Sequence, residues 1–219
     1  MSEHIDTLGA RITSLAVQDA RTILGQPTAT WGTARTQLNE ISNTLKRELS
    51  LQTLLVLEAK EQSYFTPKEP HFGMEVASKF QAAAFEVDEA AKCLALGRST
   101  ASTFHLMRVL EIGIRAVARS LQIPNPTKPA EKNWAIILKA VWVGIEAKWP
   151  TAAHRMTGDG QIFEALYASL DAVKNPWRNA TMHVENKYTN GEAEHVFMAV
   201  RGFMKKLASR MDENGLPLA

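Results

Sequence analysis

Hydrophobic residues recur at intervals of three and four positions along most of this chain, which is the period of an amphipathic α-helix. Alternation of apolar and polar residues, which would indicate a half-buried strand, is nearly absent. The pattern is clearest over residues 99–122, where the apolar face comprises Phe104, Met107, Leu110, Ile114, Val117 and Leu121. The pattern therefore predicts an all-α protein.

Glycine and proline residues divide the helical pattern into separate elements. The first two helices are joined by a short turn, so they are expected to form an antiparallel hairpin. Neither can bury its apolar stripe alone, and each is expected to pack on the other, on the main domain or on a second copy of the chain. The predicted helices cover residues 3–24, 30–62, 74–96, 99–122, 131–148, 160–175 and 190–211.

The breaks also predict how the chain is organised. Residues 1–62 form an N-terminal helical hairpin, and residues 63–73, with two prolines and a glycine, form a linker. Residues 74–211 form the main helical bundle. The tail at 212–219 is expected to be loose.

The composition of the chain bears on its possible ligands and on its cellular compartment. The chain of 219 residues has a formal net charge of +2, so any contact with RNA must come from a local basic patch. It has one cysteine and no run of about 18 apolar residues, which predicts a reducing compartment and no membrane span. The N-terminus lacks the apolar core of a secretory signal, so we expect a cytoplasmic protein.

One polar stretch, Trp177-Arg178-Asn179-Ala180-Thr181-Met182-His183, carries the candidate chemistry. Pro176 favours the first turn of a helix, which would place Asn179 and His183 on one face because they are four residues apart. Arg178 can reach the same edge with its long side chain. The stretch therefore predicts an arginine, an amide and an imidazole close together.

These three groups suit the cleavage of RNA without a metal. The 2′-hydroxyl of RNA can attack the neighbouring phosphate if a base removes its proton, and histidine has a suitable pKa of about 6.5. Arginine can bind the phosphate oxygens as their charge increases. We therefore assign His183 as base or acid, Arg178 as the phosphate clamp and Asn179 as the orienting group.

A second polar feature is a basic stripe on the helix at 99–122. His105, Arg108, Arg115 and Arg119 recur at helical spacing and are candidates for lining an RNA path. The alternative is a solvated helix face in which Glu111 pairs with Arg115, four residues away. Trp177 is a candidate for stacking on a base, and packing in the core or an interface is its alternative.

Spacing alone is also compatible with an ordinary surface role for Arg178 and His183. However, the segment from Cys93 to Glu111 resembles a helix pair of bacterial higher eukaryote and prokaryote nucleotide-binding (HEPN) proteins. The stretch from Trp177 to His183, which precedes a final amphipathic helix, resembles their Arg-polar-x3-His motif, and all three motif positions are matched. The resemblance covers about residues 74–211.

The resemblance implies an up-and-down helical bundle and a metal-independent endoribonuclease, often a toxin or a phage-defence effector. It also implies a homodimer in which two motifs face one cleft. An antitoxin or regulatory protein is a candidate partner, and the hairpin at 1–62 is a candidate docking surface. The alternative is a non-catalytic module on the same fold that binds nucleotide, RNA or protein.

No metal or cofactor is expected. The histidines outside the motif are scattered, and the chain has no His-Glu-x-x-His motif, no cysteine pair and no glycine-rich phosphate loop. The single Glu192-x-x-His195 run is not sufficient for a di-iron bundle, which needs two such runs.

Overall fold

The computed structural model describes residue 5 and residues 8–53, 55–127, 134–173 and 187–217. These residues contain ten helices and no strand, apart from one isolated bridge between Met211 and Pro217. The all-α prediction is thus confirmed for the described part of the chain. The chain divides into two compact units, Met1–Val56 and Leu57–Ala219.

The first unit is a hairpin of helices α1 (Arg11–Leu24) and α2 (Trp31–Ser50). Helix α2 begins with a capping box, in which Thr30 and Thr33 each accept a hydrogen bond from the other's backbone N–H. The predicted helix at 30–62 was too long, since α2 ends at Ser50. The hydroxyl of Ser50 donates to the carbonyl of Arg47 (2.7 Å) and so satisfies one of the carbonyls left free at the helix end.

Contacts within the hairpin combine a small apolar core with one carboxylate. Both oxygens of Glu48 on α2 accept from α1, from the backbone N–H groups of Ile12 (2.9 Å) and Thr13 (2.7 Å). The Thr13 hydroxyl also donates (2.6 Å), and it is the largest cause of the lowered pKa of Glu48. Glu48 thus caps the first turn of α1 from the other helix. The apolar contacts involve Ile5, Ala10, Val17, Ile41 and Leu45.

The second unit holds the larger core. The predicted helix at 74–96 is two helices, because Phe80 adopts non-helical dihedral angles (φ −125°, ψ 60°) while its ring is fully buried. A short helix occupies part of the predicted linker at 63–73, and another lies in the loop predicted at 149–159. The helices are α3 (Ala59–Phe65), α4 (Met74–Lys79), α5 (Gln81–Ala95), α6 (Ser99–Ser120), α7 (Trp134–Lys148), α8 (Ala152–Arg155), α9 (Gly158–Ala172) and α10 (Asn190–Ala208).

Helix α6 is the central element of this unit, and α5, α7 and α10 all contact it. Five of its six predicted core residues are buried, namely Met107, Leu110, Ile114, Val117 and Leu121. The prediction for Phe104 was wrong, because this side chain is 44% exposed. Each helical residue advances about 100°, so Phe104 lies about 120° around the helix from Leu110 and outside the buried face.

The C-terminal tail packs on the second unit, so the expectation of a loose tail was wrong for residues 212–217. The Glu213 N–H donates to the carbonyl of Lys79 (2.9 Å), and Arg119 donates to the carbonyl of Glu213 (2.7 Å). The Glu213 carboxylate accepts from the N–H of Ala82 (2.9 Å) in the first turn of α5. The tail therefore caps the first turn of α5 and binds the C-terminal ends of α4 and α6.

Helices α6 and α10 approach closely at Gly113. A methyl group on Gly113 would lie 2.6 Å from the ring of Phe203 and 2.9 Å from Leu207, and both side chains are buried. Gly202 on α10 is the opposite case, because a methyl group there would meet nothing within 4 Å. The two glycines form a matched pair for testing this packing.

Gly113→Ala is expected to destabilise the protein by about 1–3 kcal/mol, because the added methyl group overpacks the contact between α6 and α10. Gly202→Ala is expected to stabilise it by about 0.5–1 kcal/mol, since alanine has the higher helix propensity. Urea denaturation followed by circular dichroism measures both free energies of unfolding. Equal effects of the two substitutions would contradict the close approach of α6 and α10 at Gly113.

Candidate functional site

The predicted catalytic residues Arg178, Asn179 and His183 lie outside the described residues, and so does Trp177. The described chain stops at Val173, just after α9, and continues at Lys187, just before α10. The arrangement of the motif therefore stays a prediction.

The residues that follow the motif bind to the first turn of α6. The backbone N–H of Tyr188 donates to the hydroxyl of Thr100 (3.2 Å), and the hydroxyl of Ser99 donates to the side-chain oxygen of Asn190. Thr189 forms a capping box with Glu192, and its hydrogen bonds lower the pKa of the Glu192 carboxyl. The first turns of α6 and α10 are thereby held together, a short distance along the chain from the motif.

An ionic cluster centred on buried Glu86 lies between α5 and α6. Glu86 exposes 8% of its side chain, and its two oxygens accept from His105 Nδ1 (2.8 Å) and from Arg108 Nε (2.6 Å). Burial alone would raise the pKa of Glu86, but the hydrogen bonds from His105 and Arg108 outweigh it and the pKa is lowered. Glu86 is therefore a carboxylate that binds two predicted RNA-contacting residues.

The hydrogen bonds to Glu86 determine which side-chain atoms of His105 and Arg108 are available to a ligand. Because a carboxylate only accepts, His105 must carry its proton on Nδ1, which makes Nε2 the acceptor in the neutral ring. Arg108 uses Nε for Glu86, so its two terminal amino groups keep their donors, and its side chain is 56% exposed. The Nε2 acceptor can accept from a ribose hydroxyl, and the guanidinium fork of Arg108 can donate to the oxygens of a neighbouring phosphodiester.

The other two arginines of the basic stripe bind parts of the same chain. Arg115 donates to the hydroxyl of Thr127 (3.2 Å) and lies 3.6 Å from the carboxylate of Glu111, the partner that the alternative interpretation named. Arg119 holds the tail through Glu213. The stripe therefore contributes to the stability of the fold, and Arg108 is its best candidate for contact with RNA.

Sequence reasoning missed Glu86, although a signal was present. Glu86 lies between positions that face the core, because Ala83, Val87 and Ala90 are all buried. A carboxylate at such a position must have hydrogen-bonding partners, since an unpaired buried charge is costly. The basic residues one helix later in the chain were the natural partners.

Among the described residues, no three histidine, cysteine or acidic side chains are close enough together to hold a metal ion. Within the same residues, no helix has both the length and the apolar character needed to cross a membrane.

Comparisons with protein-family models, with curated proteins and with solved structures found no match to this chain.

Glu86→Gln is expected to lower the free energy of unfolding by roughly 1–2 kcal/mol at pH 7, because two hydrogen bonds to a charged acceptor are weakened and solvent already screens Arg108. Since the pKa of Glu86 is lowered by folding, its contribution is complete above its usual value of 4.5 and is lost as the pH falls further. Urea denaturation at pH 7, 5 and 3.5 measures this difference.

Glu89→Gln is the matched control, because Glu89 makes a surface pair with Lys92 on the same helix. Its effect is expected to stay below about 0.5 kcal/mol at every pH. A Glu86→Gln effect that is equally small, or that grows towards pH 3.5, would contradict the ionic cluster.

Proposed function

We propose that this chain is a metal-independent endoribonuclease of HEPN-like type that acts as a homodimer. The observation that carries the proposal is the Arg178-Asn179-x3-His183 run directly before the last long helix, α10. The all-α architecture of the described residues supports it. The HEPN-like topology, the homodimer and the cytoplasmic location stay predictions.

The proposed reaction needs only groups of the protein and of the RNA. A histidine accepts the proton of the 2′-hydroxyl, and the 2′-oxygen forms a bond to phosphorus. The bond from phosphorus to the 5′-oxygen breaks, and that oxygen takes up a proton. The products are a 2′,3′-cyclic phosphate and a 5′-hydroxyl end, with no net change in water or in electrons.

The three motif residues have separate roles in this reaction. His183 transfers the proton, Arg178 stabilises the charge that develops on the phosphate oxygens, and Asn179 orients one of them. His105 and Arg108 are proposed to contact the RNA backbone beside them, because Glu86 holds both groups while leaving Nε2 and the terminal guanidinium nitrogens for a ligand. Trp177 is proposed to stack on a base.

A second candidate is a non-catalytic interaction module that binds an antitoxin or a regulatory protein. The observation that favours it is that none of the 20 residues of α2 is buried, although the helix carries apolar side chains. Leu38 is 64% exposed and Trp31 is 93% exposed. Exposed apolar helix faces of this kind are typical of surfaces that bind another protein.

Purified protein is expected to cut single-stranded RNA in the presence of EDTA. His183→Ala is expected to reduce the rate by about 100-fold or more, as loss of a general base does, and Arg178→Ala by a similar factor. His154→Ala is the matched control, because His154 is an exposed histidine outside the motif, and it should keep the full rate. Gel electrophoresis of end-labelled RNA measures each rate.

Full activity of His183→Ala would remove the catalytic assignment. Tight RNA binding with no turnover, unchanged by His183→Ala, would favour the binding module instead. Loss of activity in the His154→Ala control would show that the histidine assay reports on folding and not on catalysis.

A further inference from the structure

An apolar cavity of about 200 Å³ lies where the loop before α4, helix α4 and the first half of α5 meet. All its lining residues belong to the second unit. Pro67 and Pro70 form part of the rim, and both restrict the backbone of the loop. The floor is made of buried side chains, namely Phe72, Val76, Phe80, Ala83 and Val87.

The cavity exists because several of its lining residues are small. Ala77, Ala83 and Ala84 line it, together with Gly73. Gly73 has a φ of +89°, a conformation that strongly favours glycine. Larger side chains at the alanines would fill the space and remove its empty volume. The concavity is therefore a property of these particular residues, and it can be closed by one substitution.

His71 provides the main polar group of the cavity, and its orientation is fixed. Its Nε2 is 3.0 Å from the carbonyl of Tyr64, and a carbonyl only accepts, so Nε2 carries the proton. The ring stacks on Tyr64 and meets the edge of buried Phe197. Burial lowers the pKa of His71, which favours the neutral ring with Nδ1 as an acceptor.

Asp88 is the other polar lining residue, and its carboxylate pairs with Lys92 (2.6 Å). The Nε2–H of His71 is already donated to the Tyr64 carbonyl, so the side chains of His71 and Asp88 leave only acceptors for a ligand. A ligand that matches them carries a donor. An anionic ligand would meet the carboxylate and the apolar walls, which opposes its binding.

We propose that this cavity binds a small neutral aromatic molecule with one O–H or N–H donor, which His71 accepts. The size agrees with one ring and a substituent, since an empty apolar cavity of about 150 Å³ is enough to bind benzene. The lining is mostly apolar with few polar groups, as in small-molecule sites generally. This inference does not depend on the proposed ribonuclease activity.

The test is a titration of the full-length protein, carrying ¹³C-labelled methyl groups, with phenol, indole, benzene and benzoate. Phenol and indole are expected to shift the methyl resonances of Val76 and Val87 in a saturable way. Benzene, which lacks the donor, should bind about fivefold more weakly, the effect of one net hydrogen bond of about 1 kcal/mol. Benzoate should cause no saturable shift.

Three variants at the cavity and one control on α9 locate the site. Ala83→Leu fills the floor and should abolish phenol binding, and Ala84→Leu, at the exposed edge of the cavity, gives the same test if the first variant does not fold. Ala168→Leu on the exposed face of α9 is the matched control and should bind phenol normally. His71→Phe should reduce phenol binding to the level of benzene.

The proposal is overturned if neither phenol nor indole causes saturable shifts at Val76 and Val87. It is also overturned if Ala84→Leu leaves phenol binding unchanged, because the ligand would then bind elsewhere. Equal affinity of the native protein for phenol and benzene would contradict the acceptor role of His71.

Discussion

Burial of helix α6 is the constraint on which the described part of the second unit depends. Gly113 lets α10 approach one face of this helix, while Glu86 on α5 binds His105 and Arg108 on another. Its first turn binds Tyr188 and Asn190, which follow His183 closely in the chain. The chain that leaves the proposed motif is therefore anchored to the most buried helix of the unit.

The basic residues of α6 bind groups of the same chain. Arg115 and Arg119 face polar groups of a loop and of the tail, and Glu86 balances the pair His105 and Arg108. A basic stripe in a sequence thus includes cations that bind within the chain. The exposed end of Arg108 stays available to a ligand, because only its Nε is bound to Glu86.

The periodicity of the sequence predicted the long helices well, since burial of one apolar face contributes most to the stability of a helix in a folded protein. Periodicity did not predict the helix ends that depend on local geometry. Phe80 interrupts the helical backbone although its ring is buried, and α2 ends at Ser50. Periodicity also did not predict contacts between residues far apart in the chain. Glu213 binds Lys79 and Ala82 from the far end of the chain, and no local pattern signals such a contact. Of the candidate site, the basic residues on α6 were identified from their spacing, but their common partner Glu86 was not.

The proposed attack of the RNA 2′-hydroxyl can be measured with a matched pair of substrates. One is an RNA with a mapped cleavage position, and the other carries a single 2′-deoxy nucleotide on the 5′ side of that position. We expect the first to be cut to a 2′,3′-cyclic phosphate in EDTA and the second to stay intact at that position. Cleavage of the 2′-deoxy substrate there at an equal rate would rule out the proposed reaction, because the attacking oxygen would then come from another source.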